Sequence, residues 1–187
     1  KHLRIYKIFR MIDIKKLKSS IEGKGFISSV IYLDEVDSTN SFARKEDVPL
    51  DSIVIAEYQT GGKGRLGRSW ISEKNLNLTF SIKKKLPLSP AENHFAVFYF
   101  SYHLFSAIKK VLANHLTEDQ IAKLFIKWPN DILFDRKKLS GILIESVLPQ
   151  GIYTIGIGLN SNQNTFPADL NAVSLKQITG VEIELTE

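Results

Sequence analysis

The sequence predicts an α+β fold: a mixed, mostly antiparallel sheet with flanking helices. Three observations carry this expectation. Residues 125–128, 131–134, 138–147 and 152–159 are apolar or alternating runs of strand length, parted by the short turn signals Pro129-Asn130, Asp135-Arg136 and Pro149-Gln150-Gly151. One long apolar helix, from Ser89-Pro90 to about His115, stands apart from them. Strands in hairpins with a segregated long helix argue for an α+β sheet, mostly antiparallel. At 187 residues, 43% apolar and 24% charged, the chain has the composition of one globular domain with a substantial core.

The elements follow in order. The first Met is Met11, so residues 1–10 read as a tag remnant or a mis-set start, and 1–30 as an N-terminal extension. Asp13 caps a short amphipathic helix through Ile14, Leu17 and Ile21, stopped by Gly23 and Gly25. Residues 30–36 form a strand, and the polar turn Asp37-Ser38-Thr39-Asn40 leads into a helix over 40–45, with Ser38 or Thr39 as its cap. Strands at 52–58 and 77–83 flank a glycine-rich loop. The long helix carries Phe95, Phe98, Leu104, Phe105, Ile108 and Leu112 on most of its sides, the pattern of a buried helix. After the four strands named above, residues 173–179 form a last helical turn.

Composition removes several functions. There is no cysteine, hence no disulfide, thiolate metal site or cysteine nucleophile. No window approaches the roughly 20 apolar residues of a membrane span, and no signal peptide is visible, so a cytoplasmic, non-membrane protein is expected. The four histidines are scattered, three of them on or beside the long helix, and form no ligand set; no metal site is expected from side chains. A net charge of +5 without a basic stripe interleaved with aromatics leaves nucleic-acid binding a minority reading.

The chemistry gathers at residues 56–70, AEYQTGGKGRLGRSW. Glycines let the backbone approach a ligand closely, a run of turn amides makes an anion-binding concavity, and Lys63, Arg65 and Arg68 supply cations. A closing loop over something anionic is the functional reading; a solvated basic turn is the bland one. Gly62-Lys63-Gly64-Arg65-Leu66-Gly67 fits G-x-G-x-x-G, but residues 69–75 offer no amphipathic helix, so the dinucleotide fold fails. A kinase loop fits between two strands, yet H-R-D and D-F-G are missing, and the P-loop pattern is absent. Two further clusters have the residue types of a site. Lys127-Trp128-Pro129-Asn130-Asp131 joins two strands, although turn chemistry and a surface pair of Lys127 with Asp131 would explain it equally. Residues 136–145, RKKLSGILIE, feed a basic turn into an apolar strand; if alternation holds, Lys138, Ser140 and Ile142 share a face, with Gly141 open to close approach.

Together D-S-T-N, A-E-Y-Q-x-x-G-K-G-R-x-G-R-x-W, K-W-P-N-D-I and K-L-S-G-I-L-I-E, in that order over about residues 31–180, resemble biotin protein ligases. The resemblance implies the sheet shared with lipoate ligases and class II aminoacyl-tRNA synthetases, with 31–187 as the catalytic domain. It also implies two half-reactions. Biotin and ATP, with Mg²⁺, give biotinyl-5′-adenylate, and a lysine of a biotin carboxyl carrier protein domain then takes the biotinyl group. By the same resemblance Ser38, Thr39, Asn40 and Gln59 meet the ureido ring, and Gly62, Lys63, Gly64 and Arg65 close over biotin and adenylate. Arg68 meets phosphate, Trp70 packs near adenine, and Lys138 reaches both the biotin carboxylate and the phosphate. Asn130 and Asp131 line the reacting centre, with Arg65, Lys138 and Asp131 as the catalytic set, and Asn160 approaches the nucleotide.

Departures from the pattern carry expectations of their own. Lys63 stands where many members have Arg, which loses a bidentate fork, and Leu66 replaces a frequent second Arg. No DNA-binding domain precedes residue 31, so no DNA partner is expected. The resemblance leads one to expect a small C-terminal β-barrel domain, and the sequence stops at Glu187, where the family usually continues into it. A homodimer through a sheet edge, as in some relatives, is compatible with the sequence. The rival readings are a lipoate–protein ligase and a non-catalytic biotin or adenylate-binding module.

Overall fold

In the computed structural model, which describes residues 12–21, 25–147 and 150–185, the strand signals resolve into seven strands. These are β1 (Ser29–Leu33), β2 (Ser52–Ala56), β3 (Leu78–Lys85), β4 (Leu124–Lys127), β5 (Asp131–Phe134), β6 (Lys137–Val147) and β7 (Ile152–Leu159). They form one sheet in the order β1-β2-β3-β7-β6-β5-β4. Of the pairings between these seven strands only β1 with β2 is parallel, because the segment between them crosses over through a helix; the other five are antiparallel. The mixed, mostly antiparallel sheet with flanking helices is thus the one the hairpin pattern predicts.

The helices start where their caps dictate. Asp13 Oδ1 accepts from the backbone of Lys15 and Lys16 to open α1 (Ile14–Ile21); Gly23, its expected stop, and Pro149 in the turn before β7 lie outside the described residues. Ser38 caps α2 (Thr39–Ala43), its Oγ accepting from Ser41 N. Ser89 donates its N–H and hydroxyl to Glu92 Oε2 across a 3-10 turn, after which α3 (Asn93–Ala113) begins. The sequence reading passed over α4 (Glu118–Ile121), although Thr117 and Gln120 form a complete capping box. Ser174 and Gln177 form another at α5 (Leu175–Thr179), which ends on Gly180 at φ 78°.

Three apolar clusters lie against the sheet, a small one of Ala43, Val48 and Val54 under α2 and two larger ones that take in α3. Ile53, Ile55, Ile82, Ile155 and Tyr153 pack with Ala96 and Phe100 of α3, while Leu139, Leu159 and Leu175 pack with Ile108 and Leu112. Each such aliphatic side chain contributes roughly 1.5–3 kcal/mol by leaving water. The expectation of a buried long helix is corrected here. Only the stripe Ala96, Phe100, Ser101, Ile108 and Leu112 of α3 is buried, since the helix meets a single sheet face. Phe95, Phe98, Tyr99 and Tyr102 remain 53–59% exposed.

A register shift in β6 aims the site. Ile132 pairs with Ser140 but the next residue, Leu133, pairs with Lys138, so Leu139 is an extra residue. The bulge turns Leu139 into the core and puts Lys138 beside Gly141. The expected sharing of one face by Lys138, Ser140 and Ile142 therefore does not hold.

Candidate active site

Three glycines leave a bare strip on the sheet. Gly141 of β6 pairs with Gly158 of β7, and Gly156 lies two residues along the same strand. A Cβ at these positions would run into Lys138 at Gly141, Asn40 at Gly156 and the Trp70 indole at Gly158. Three side chains from distant parts of the chain therefore lie on backbone, and they form the walls of a cleft.

One end of the cleft is polar and buried. Thr39 donates its backbone N–H and its hydroxyl to Gln59 Oε1 at 2.7 and 3.0 Å, which fixes the Gln59 amide and leaves Nε2 as its donor end. Ser81 Oγ lies 2.8 Å from Thr39 Oγ1 and 2.6 Å from Asn40 Oδ1. Ser38, Thr39, Asn40 and Ser81 are all almost fully buried. Such a set offers both donors and acceptors to a ring carrying a carbonyl and N–H groups.

The other end is ionic. Lys138 Nζ stands 2.8 Å from Asp131 Oδ1 and 5.7 Å from the centre of the Trp70 ring. Asp131 faces Lys127 across the β4–β5 pair but makes its ion pair with Lys138, so the surface pair with Lys127 is not formed. Trp70 Nε1 is buried without a hydrogen-bond partner among the described residues, and Asp131 Oδ1 has none beyond the ion pair. Asn130 is held at both ends by β6: its carbonyl accepts from Ile142 N and its Nδ2 donates to Ile142 O. The Oδ1 left over accepts from Arg65 Nη1 at 2.9 Å.

That bond latches the glycine loop. Residues 62–70 fold back as a tight hairpin, with Trp70 N donating to Gly62 O and Gly64 N to Arg68 O. Its tip is Leu66, 90% exposed with φ 56°, followed by Gly67 at φ 73°. Lys63 Nζ donates to Ser41 Oγ at 2.8 Å. With the loop so placed the cleft keeps about 50 Å³ of room, while a groove of about 890 Å³ opens beside it. A small-molecule site is usually roughly 300–1,000 Å³, so in this loop position the cleft is smaller than such a site while the adjoining groove falls within that range.

Residues 32–162 match the family model described as the biotin/lipoate A/B protein ligase family. The chain belongs to that family.

Among the ligases it resembles, the biotin–[acetyl-CoA-carboxylase] ligase of Mycobacterium tuberculosis is 32% identical over 171 residues, covering 88% of this chain and 61% of that protein. The biotin protein ligase of Aquifex aeolicus in complex with biotin and ATP superposes with a TM-score of 0.68 at 31% identity, over 84% of this chain and 63% of that one. The Leishmania major biotin protein ligase with biotinyl-5-AMP gives 0.68 at 29%, over 81% and 64%. The chain spans about half the length of the curated bifunctional ligase/repressors it matches.

Of the residues singled out by sequence, Ser38, Thr39, Asn40, Gln59, Lys63, Gly64, Arg65, Trp70, Asn130 and Lys138 all line the cleft of this ligase-family fold, and Asp131 stands against Lys138. Gly62 and Arg68 line the adjoining groove instead. Asn160 does not reach the cleft; it is buried, donating Nδ2 to the carbonyls of Lys138 and Val173, and so braces the strand that carries Lys138. Sequence reasoning missed Ser81, Gly156 and Gly158, for which the alternation S-I-K and the spacing G-I-G were the only signals. Among the described residues no group of three or more His, Asp or Glu side chains is placed to hold a metal ion.

Proposed function

We propose that this chain carries out ATP-dependent biotinylation of a lysine on a biotin carboxyl carrier protein domain. The observation that carries the proposal is the convergence, in one cleft, of a donor–acceptor set (buried Thr39 and Asn40 with half-buried Gln59) with Lys138, Arg65 and Asp131. The complexes of the Aquifex ligase with biotin and ATP, and of the Leishmania ligase with biotinyl-5-AMP, support the same ligands here.

In the first step a biotin carboxylate oxygen attacks the α-phosphorus of ATP, the bond to the β-phosphate oxygen breaks, and pyrophosphate leaves. Two anions must meet, and Lys138 and Arg65 screen their repulsion and the charge that builds in the transition state. Mg²⁺ bound through the phosphates would supply charge neutralisation for the leaving pyrophosphate. With one carboxylate at the centre, that of Asp131, it would enter on the phosphates, the way this ion usually binds. Trp70 Nε1, a buried donor lacking a partner, is available to an oxygen of the adenylate. In the second step the carrier ε-amine attacks the acyl carbon, the acyl–phosphate bond breaks, AMP leaves, and Asp131 takes the amine proton. A glycine loop folded over the bound adenylate would exclude water from an intermediate that water hydrolyses.

The lipoate reading is disfavoured by the polar end of the cleft. Lipoate ends in an apolar dithiolane, which offers no partner to the Gln59 Nε2 donor or to the remaining acceptor capacity of Asn40 Oδ1. The test is ATP–pyrophosphate exchange with biotin and, separately, with lipoate. Exchange with biotin alone is expected; exchange with lipoate alone would reassign the substrate, and exchange with neither would remove the enzyme reading.

A further inference from the structure

Glu145 closes the K-L-S-G-I-L-I-E run, and nothing in the two half-reactions calls on it. Its carboxylate is nevertheless held at both oxygens. Oε1 accepts from Arg44 Nη1 at 2.7 Å, and Oε2 accepts from Asn40 Nδ2 at 2.9 Å. Asn40 lies within the short helix α2 and Arg44 caps its C-terminus, while Glu145 comes from β6, more than a hundred residues away in sequence.

The consequence lies in Asn40. An Asn side chain has one acceptor end and one donor end, and here the donor end meets two groups that only accept, the Glu145 carboxylate and Leu143 O at 3.3 Å. The amide cannot flip without setting its oxygen against both. Its Oδ1 therefore points the other way, over Gly156 in the cleft wall. There its neighbour is Ser81 Oγ, whose single proton is shared between Asn40 Oδ1 and Thr39 Oγ1. One lone pair at least is left for a ligand N–H.

We propose that Glu145, held by Arg44, is a positioning residue for substrate recognition: it fixes the Asn40 carboxamide so that Oδ1 accepts a hydrogen bond from a ureido N–H of the ligand. This rests on the biotin reading above. Arg44 sets the carboxylate rotamer, Glu145 sets the amide, and the amide reads the ring. None of the three touches the reacting carboxylate or phosphate. Losing the anchor weakens ligand selection and leaves the chemical step alone.

The experiment compares the full chain with Glu145→Ala and Glu145→Gln by calorimetric titration with biotin and with biotin N-methylated at either ureido nitrogen, alongside exchange kinetics and thermal melting. In the unsubstituted protein, methylating the nitrogen that faces Asn40 is expected to weaken binding strongly. In Glu145→Ala, biotin binding and its KM are expected to weaken by about 10-fold, the equivalent of one hydrogen bond, while kcat and the KM for ATP stay within about 2-fold. The penalty for N-methylation is expected to shrink by a similar factor. Glu145→Gln should fall between, because a Gln amide cannot accept from both Arg44 and Asn40 without turning its NH₂ toward one of them.

Unchanged biotin affinity and an unchanged methylation penalty in Glu145→Ala would overturn the proposal. So would an equal loss in every parameter together with a lowered melting temperature, since that marks a general structural role. Failure of the unsubstituted protein to bind biotin is a different result: it removes the biotin reading and this inference with it. Binding without exchange leaves the inference to be decided by the titrations.

Discussion

Lys138 Nζ and Asp131 Oδ1 stand 2.8 Å apart across a strand pair, brought together by the extra residue Leu139 in β6. The pair is partly open to water, with side-chain exposures of 38% and 21%. Such a pair contributes only about 0–1 kcal/mol to folding. Lys138→Ala is accordingly expected to leave the melting temperature almost unchanged, yet to lower biotin-dependent pyrophosphate exchange by about 10²–10³, the usual cost of removing one charge-stabilising donor. An exchange rate within a few-fold of the original would take Lys138 out of the reaction.

Asp131→Asn keeps the shape of the side chain and removes its basicity. In the proposed reaction adenylation draws on the cations, so exchange should hold within a few-fold. Transfer of the biotinyl group from preformed adenylate to a carrier domain should fall by about 10²–10⁴, the range of a general base. Both are read by single-turnover transfer of radiolabelled biotin. Unaltered transfer would leave Asp131 with the placement of Lys138 as its whole role.

The four motifs were legible because each is contiguous: a glycine loop, a polar turn and a strand entry keep their spacing wherever the fold takes them. What sequence could not give is what meets across the sheet. Gly156 and Gly158 read as ordinary strand alternation until Asn40 and Trp70 are seen lying on them. The bulge at Leu139 leaves no mark in an apolar run, yet it decides which face Lys138 occupies. Asn160 is assigned to the nucleotide by the resemblance alone, and in the fold its Nδ2 donates to the carbonyls of Lys138 and Val173. The half-exposed aromatics of α3 were misjudged for the same reason, since periodicity records what is apolar and not what is available to cover it.

Glu92 ties acid stability to the start of α3. The hydrogen bonds from the Ser89 hydroxyl and backbone N–H hold its carboxyl below the usual value of 4.5. Folding therefore favours the ionised form. The resulting stability is complete above the unfolded pKa and is lost as pH falls through the lower folded value. Ser89→Ala should lower the urea midpoint at neutral pH, with the difference from the unsubstituted protein narrowing below pH 4.5. A constant difference across that range would show that Ser89 acts without Glu92.

Gly158 offers the sharpest steric test of the cleft. A methyl group there enters the space of the Trp70 indole, which also lies under Lys138. The indole cannot be pushed away freely, because Trp70 N is tied to Gly62 O and the loop returns through Asn130. Gly158→Ala is thus expected to cost about 1–3 kcal/mol of stability through overpacking. It should also impair adenylate binding more than biotin binding, since Trp70 and Lys138 stand at the ionic end while Thr39, Asn40 and Gln59 stand at the other. Denaturant unfolding and parallel titrations with biotin and a non-hydrolysable biotinyl-adenylate analogue measure both effects. The double variant Gly158→Ala with Trp70→Ala relieves the clash, so it should recover part of the lost stability relative to Gly158→Ala alone. If the added methyl weakens both ligands equally, the ring does not separate the two ends of the cleft, and Trp70 serves only to hold the loop.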